Sequence, residues 1–471
     1  MARHTRLVAL VTLAMVNVIT LVAGIAVTQM LPPRLAALKI PYVQAGRIAV
    51  PGPALARGTQ GQLPTEDGLE SALEGPLSAP SLGPRVLAMV ADPRTGKILY
   101  TQGGTQLATP ASTTKLVTAA AALAVLGPGA RFTTTVVQGP GNDIILVGGG
   151  DPTLAVKPYP ASQYPAPATL QSLAAQTAAK LKASGRSTVR LDFDASRYQG
   201  QGLAPGWPAA YVTTGNVTQI VSLEVDQGRL TAAGAPEDDD DPYNLAPRAQ
   251  HPATMAAQAF AGLLEADGIT VTGTVGQHTA ANGAAVLASV SSPPLSAIAE
   301  QMLAESNNVI AENLARHVAI ATGRPATFSG AAAAETAEIR RLGVTTGIHL
   351  VDGSGLSPQD GIAPATLVKV LQTAVATPRL RSMLASLPVA GFSGTLAAGE
   401  SVFAGIGGQG LGAVRAKTGN LGSVAALAGL VNDSGGTALT FAFMADNVTN
   451  LDEAAKAIDT AAEDLVGCGC R

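Results

Sequence analysis

Three short polar motifs stand in order along the 471 residues: Ser112-Thr113-Thr114-Lys115, Ser306-Asn307-Asn308 and Lys417-Thr418-Gly419. Any one alone carries little, because serines are common and an isolated S-x-x-K usually lies on a solvated helix face. Together they constrain the fold. Two of only nine lysines fall in them. A single site built from all three requires the chain to return across the 194 positions between Ser112 and Ser306, and again across the 109 between Asn308 and Lys417. Ser112 to Leu126 has few breakers, many Ala and Leu, and Pro110 just ahead, which predicts a helix opened by a proline in its first turn. Ala413 to Lys417 reads as a strand, and Gly419 lets its backbone approach a ligand closely.

On a helix, residues i and i+3 face the same way, so Ser112 and Lys115 project together. A serine hydroxyl needs a base, and lysine serves only when neutral. Its ordinary pKa is about 10.4, so burial or a nearby cation must lower it, and Lys417 could supply that cation. The helix N-terminus adds partial positive charge beside the serine alkoxide. Asn308 offers an amide that both donates and accepts, and Ser306 a hydroxyl able to relay a proton. Lys417 and Thr418 present a cation and a hydroxyl to a substrate carboxylate.

The ordered set resembles the penicillin-recognising serine enzymes. The wide gap before Ser306 resembles the D-alanyl-D-alanine carboxypeptidases/endopeptidases among them, the class C low-molecular-mass penicillin-binding proteins, which carry an insertion there. Further local matches are Val147 to Leu154 (VGGGDPTL), Asp352 to Ser357 (DGSGLS) and Leu387 to Gly391 (LPVAG). The resemblance covers residues 69 to 466. It implies an α+β fold, with a β-lactamase/transpeptidase-like antiparallel sheet flanked by helices and an inserted smaller α/β module. It implies Ser112 as nucleophile, Lys115 as base, and Ser306 with Asn308 as proton relay and substrate-amide contact. Lys417, Thr418 and Gly419 would bind the substrate's terminal carboxylate, with the backbone N–H groups of Ser112 and Asn420 as an oxyanion hole. The substrates implied are peptidoglycan stem peptides, with β-lactams as covalent inhibitors and no cofactor or metal. Two positions depart from the family pattern: Asn420 stands where Thr or Ser is usual, and Ser393 where an Asp is expected. The rival readings are a β-lactamase, against which the long insertion speaks, and a catalytically silent peptidoglycan-binding or sensor protein.

The remaining sequence is consistent with this organisation. Leu7 to Leu31 is uncharged, follows Arg3 and Arg6, and is long enough to cross a bilayer. Residues 1–31 therefore read as a membrane anchor or signal peptide that places the rest of the chain outside the cytoplasm, and 32–64, rich in Pro and Gly, as a flexible linker. Residues 65–155 and 296–471 read as the catalytic domain. Residues 156–295, with the sole Trp207 and the acidic run Glu237 to Asp241, read as the insertion.

Arg85 to Ala91 and Lys97 to Gln102 predict a hairpin whose first strand could share a sheet with strands over Ser423 to Val431 and Thr437 to Met444. Helices are expected over Ala299 to Ile320, Pro364 to Ala376 and Leu451 to Val466. Lys plus Arg at 30 against Asp plus Glu at 33 lacks the basic excess that nucleic-acid binding needs. Cys468 and Cys470, two positions apart at the C-terminus, lack zinc-site spacing and could pair with each other or with another chain. Asp151 reads as a turn residue, His317 as structural, Trp207 as a packing anchor and the acidic run as a solvated loop.

Overall fold

The structure, a computed structural model, describes residues 62–159, 164–230, 246–345, 347–397 and 410–470. The expected anchor over 1–31, nearly all of the linker over 32–64 and the acidic run Glu237 to Asp241 lie outside the described residues. Among the described residues, no helix is long and apolar enough to cross a membrane.

Along the chain the main elements are α1 (Glu66–Leu77), β1 (Arg85–Ala91), β2 (Ile98–Gln102), α2 (Lys115–Leu126), β3 (Thr133–Gln138), β4 (Asp143–Val147), α3 (Leu170–Ala183), β5 (Thr188–Asp194), α4 (Pro252–Ala266), β6 (Thr270–Gln277) and β7 (Val286–Ser291). They continue with α5 (Leu295–Ala304), α6 (Asn308–Ala321), α7 (Phe328–Arg341), β8 (Ile348–His349), β9 (Gly361–Ile362), α8 (Pro364–Ala376), β10 (Val414–Leu421), β11 (Val424–Asn432), β12 (Ala438–Asp446) and α9 (Leu451–Gly467).

One sheet has the order β10-β11-β12-β1-β2 and is antiparallel throughout. Pairing of β1 with β12, from Arg85 opposite Asp446 to Ala91 opposite Thr440, joins the two ends of the described chain. β11 and β12 are almost wholly buried, as their near-continuous apolar runs require of strands covered on both faces. On one face Leu427, Phe441 and Phe443 pack with Leu69 and Leu73 of α1 and Ile458 and Leu465 of α9. Both helices carry side-chain N-caps: Thr65 accepts from Gly68 N at 3.2 Å and Asn450 from Glu453 N at 3.2 Å. Cys468 and Cys470 pair with each other, and the Cys470 carbonyl accepts from Thr65 N at 2.8 Å, so the C-terminal tail lies across the start of α1. On the other face α8 packs on β1 and β12, while the 3-10 turn Ala111–Thr114 packs on β10 and β11. That turn runs directly into α2, which is buried all round from Lys115 to Ala124, so its sequence shows no amphipathic stripe.

The second sheet is mixed, in the order β6-β5-β4-β3-β7, with β4, β5 and β6 parallel. Its core joins Ile144, Leu146, Leu191 and Phe193 to Leu173 and Leu181 of α3 and Phe260 and Leu264 of α4. The molecule is thus mixed α+β, with an antiparallel and a mixed sheet flanked by helices. Pairing gives β3 and β4 to the second sheet, although the sequence boundary at residue 156 grouped them with the catalytic domain. Nothing local to β3 (TTTVVQ) or β4 (DIILV) states which sheet it joins; pairing decides it. A third cluster packs Trp207, Val217 and Ile220, from the segment between β5 and α4, against Val309, Phe328 and Leu356.

One helix expected over Ala299 to Ile320 is two helices. Ser306 takes φ +58° between them, and Asn307 caps α6 by accepting from Ile310 N at 3.1 Å. The polar run Glu305 to Asn308 marks the break locally, with Asn307 as the N-cap residue of the second helix.

Candidate active site

Ala111 takes the left-handed φ of +45°, and the Pro110 carbonyl accepts from Thr113 N at 3.2 Å and Thr113 Oγ1 at 2.7 Å. This tight turn places Ser112 and Lys115 on the first helical turns, facing the same way. Lys115 is fully buried, and its Nζ makes three hydrogen bonds: to Ser112 Oγ at 2.9 Å, Asn308 Oδ1 at 2.7 Å and the Ser354 carbonyl at 2.7 Å. Burial pulls its pKa down to about 7, against the opposing pull of Asp352 and Glu312. Burial is thus the largest cause of the lowering. Lys417 is likewise held well below the usual lysine range, by burial first and then by the charge of Lys115.

The second motif meets the first through Asn308, whose Nδ2 donates to the Asn216 carbonyl at 2.9 Å while its Oδ1 faces Lys115. Ser306, half-buried, occupies the left-handed turn two residues earlier. The third motif lies along β10. Lys417 Nζ donates to the Thr418 carbonyl at 3.0 Å and Oγ1 at 3.4 Å, and Thr418 Oγ1 lies 2.8 Å from Thr395 Oγ1. A Cβ added at Gly419 would stand 2.7 Å from the Pro110 carbonyl oxygen, so the strand backbone lies directly against the turn that carries Ser112. The sequence reading reserved that space for a ligand; part of it is taken by the protein itself. Gly394 leaves similar clearance for the Ala304 carbonyl, so the 391–397 loop touches both β10 and the end of α5 beside Ser306. Asn420, next on the strand, is exposed.

Sequence reasoning missed the loop that presents Ser354. Residues 350–360 are closed by the β8–β9 pair, and Asp352 organises them. Its Oδ1 accepts from Ser354 N at 3.0 Å and Gly355 N at 2.6 Å, and its Oδ2 from Ser357 N at 2.7 Å and Trp207 Nε1 at 2.7 Å. Glu312 Oε1, one turn along α6 from Asn308, accepts from Gly353 N at 3.0 Å and Ser354 N at 2.8 Å. Burial raises the Glu312 carboxyl to about 7, and the charge of Asp352 pushes the same way. Its Oε2 lies 3.6 Å from Arg316, which stacks 3.8 Å above the Phe328 ring. The signals available were the DGSGLS string, noted only as a local match, and the i, i+4 spacing of Glu312 and Arg316.

Two other singled-out residues, Asp151 and His317, fall elsewhere, while Trp207 reaches the site through Asp352. Asp151 accepts from Thr153 N at 2.8 Å and Oγ1 at 2.6 Å within its own turn. His317 stacks on Phe132 at 3.7 Å, its Nε2 lies 2.8 Å from the Gly150 carbonyl oxygen, and burial holds its pKa down at about 3. Trp207 packs edge-on against Phe328 at 5.3 Å. Among the described residues, no group of three or more His, Cys, Asp or Glu side chains is placed to hold a metal ion.

The arrangement can activate a serine by a buried amine and hold an anionic substrate end near it. Comparison with known proteins points the same way. The sequence signature of the D-Ala-D-Ala carboxypeptidase 3 (S13) family matches residues 69–245 and 216–465. The chain is 37% identical over 416 residues to Carboxypeptidase DacB of Mycolicibacterium smegmatis, covering 86% of this chain and 85% of that one. It is 31% identical to the D-alanyl-D-alanine carboxypeptidase of an Actinomadura species, covering 77% of this chain and 76% of that one. The crystal structure of penicillin binding protein 4 from Haemophilus influenzae superposes with a TM-score of 0.65 at 22% identity, over 83% of this chain and 95% of that one, a likeness of fold.

Proposed function

The chain belongs to the D-Ala-D-Ala carboxypeptidase 3 (S13) family, and from that membership we propose how its site divides the work of a serine-type D-Ala-D-Ala carboxypeptidase acting on peptidoglycan. The observation that carries the reading is the surroundings of Lys115 Nζ. An ammonium has three protons for its three acceptors, whereas a neutral amine has two protons and a lone pair. Asn308 Oδ1 and the Ser354 carbonyl can only accept, so they keep the two protons. The lone pair is left facing Ser112, whose hydroxyl then donates to it.

Ser112 Oγ attacks the carbonyl of the penultimate D-alanine of a stem peptide and passes its proton to Lys115. The backbone N–H groups of Ser112 and Asn420 receive the developing oxyanion. The terminal carboxylate is held by Lys417 and Thr418, with Gly419 keeping the strand backbone close. The bond to the leaving D-alanine breaks as its nitrogen takes a proton relayed through Ser306, and water then hydrolyses the acyl-enzyme. The same acylation would cut a cross-link when the leaving amine belongs to a second stem peptide, and β-lactams would acylate Ser112 in the same way and leave slowly. The substrate lies outside the cytoplasm, where the uncharged N-terminal run would hold the enzyme at the membrane surface.

The test is the intact mass of the protein after brief exposure to a simple penicillin, with Ser112→Ala as control, followed by D-alanine release from a D-Ala-D-Ala peptide. One adduct on the wild type alone, with release of D-alanine, is expected. A folded wild type with neither adduct nor release supports the silent binding protein, and rapid drug turnover supports the β-lactamase.

A further inference from the structure

The segment between β5 and α4 belongs by sequence to the insertion, yet two of its atoms reach the Ser306-Asn307-Asn308 motif. The Asn216 carbonyl accepts from Asn308 Nδ2 at 2.9 Å, and Gln227 Oε1 accepts from Asn307 Nδ2 at 2.7 Å. The first bond decides how Asn308 presents its amide. With Nδ2 committed to a carbonyl, Oδ1 is the atom left for Lys115 Nζ, 2.7 Å away. A flipped amide would set an N–H group against the lysine and an oxygen against the Asn216 carbonyl. The second bond holds Asn307, which caps α6 immediately after the left-handed Ser306.

One buried side chain holds both supports. Arg248 donates from Nε to the Gly215 carbonyl at 3.1 Å and from Nη1 to the Gln227 carbonyl at 3.2 Å. The first is the residue just before Asn216, and the second is the residue that grips Asn307. Asp226 and Gln227 are consecutive non-glycine residues at φ +48° and +55°, a strained pair that persists only where the surroundings fix it. Asp226 is fixed through its carboxylate, which accepts from Val156 N at 3.2 Å and Tyr159 OH at 3.2 Å. The hold on the Gln227 carbonyl comes from Arg248.

We propose that Arg248 is a positioning residue for acylation: from the inserted module it fixes the Asn216 carbonyl and Gln227, so that Asn308 keeps Oδ1 on Lys115 and the lysine keeps its lone pair toward Ser112. The inference rests on the reading of Lys115 as the base. Arg248 touches neither substrate nor reacting atoms, so its effect passes through Asn308. The insertion is thereby a working part of the acylation site.

The experiment is a double-mutant cycle on the full chain, with the second-order rate of acylation by benzylpenicillin as readout. Arg248→Lys keeps the charge but cannot span both carbonyls. It is expected to slow acylation about tenfold while leaving the KM for a D-Ala-D-Ala peptide within about twofold, and to slow it no further when Asn308 is already alanine. Equal slowing in the Asn308→Ala background, or none in either, overturns the proposal. Gln227→Ala, which removes only the side-chain bond to Asn307, decides the matter if Arg248→Lys does not fold. Slowing of about threefold or more that vanishes in an Asn307→Ala background supports it, and no slowing overturns it. A folded wild type that is never acylated would instead sink the functional reading beneath the inference, and the inference with it.

Discussion

The carbonyl oxygen of Ser354 accepts a hydrogen bond from Lys115 Nζ at 2.7 Å, across 239 positions of sequence. It is the acceptor that no motif announces, and it completes the count of three around the ammonium. The loop that carries it is fixed from two directions, by Asp352 from within and by Glu312 from α6. The Lys115 amine is therefore placed by backbone held on buried carboxylates as much as by the motif side chains.

The same loop presses on the turn that carries Ser112 at Gly355, where φ is +83° and an added Cβ would stand 1.8 Å from the Ala111 carbonyl oxygen. Gly355→Ala must displace either the loop or the turn that carries Ser112. Acylation by penicillin is expected to fall about a hundredfold or more with every catalytic side chain intact. Near-wild-type labelling of a folded Gly355→Ala protein would refute the contact.

Lys115 sets the pH dependence. With its pKa pulled down to about 7, the amine becomes competent as pH rises through that value. The acylation rate should climb about tenfold per pH unit below 7 and level off above. A flat or falling profile between pH 5.5 and 9 would contradict the assignment. Lys115→Ala should slow acylation by about 10²–10⁴-fold. Stability is linked to the same group: between about 7 and 10.4 the unfolded chain keeps the proton that the folded chain has lost, so the contribution of Lys115 to stability rises with pH across that window.

How far the sequence carried these conclusions depends on where each contact closes. Ser112 and Lys115 are three residues apart on one helical start, so their pairing could be read locally, and the apolar runs of β11 and β12 could be read as strands. The break at Ser306 was legible in the polar run Glu305 to Asn308, which ends in an N-cap signal that the expectation of one long helix passed over. The supports could not be read. Asn216 meets Asn308 across 92 positions and Asp352 meets Trp207 across 145, and nothing local to either partner names the other. The second sheet escaped its boundary for the same reason, since the partners of β3 and β4 include β5 and β7, distant in sequence.

Lys417 is buried, and its pKa is held well below the usual range by burial and by Lys115. An arriving carboxylate reverses part of that, so peptide binding should draw a proton onto Lys417. Calorimetry in buffers of different ionisation enthalpy is expected to show proton uptake for a peptide ending in a carboxylate and none for its C-terminal amide. Lys417→Ala should abolish the uptake and raise the KM about tenfold to a hundredfold, the scale of a charge-assisted hydrogen bond. An unchanged KM would remove Lys417 from the carboxylate site.

Trp207 tests whether the segment between β5 and α4 supports the loop that presents Ser354. Its Nε1 donates to Asp352 Oδ2 at 2.7 Å in buried surroundings, and the ring packs on Phe328. Trp207→Phe keeps much of the packing and removes the donor, leaving the carboxylate one partner short. A loss of about 1–3 kcal/mol in unfolding free energy is expected, read from urea denaturation followed by circular dichroism. Asp352 also holds the N–H groups of Ser354 and Gly355, so the looser loop should let the Ser354 carbonyl drift from Lys115 and lower the acylation rate. Trp207→Leu, which loses the donor and much of the ring packing together, should cost more stability but slow acylation no more than the phenylalanine does. Acylation that instead tracked stability across the two variants would mean that Trp207 serves packing alone.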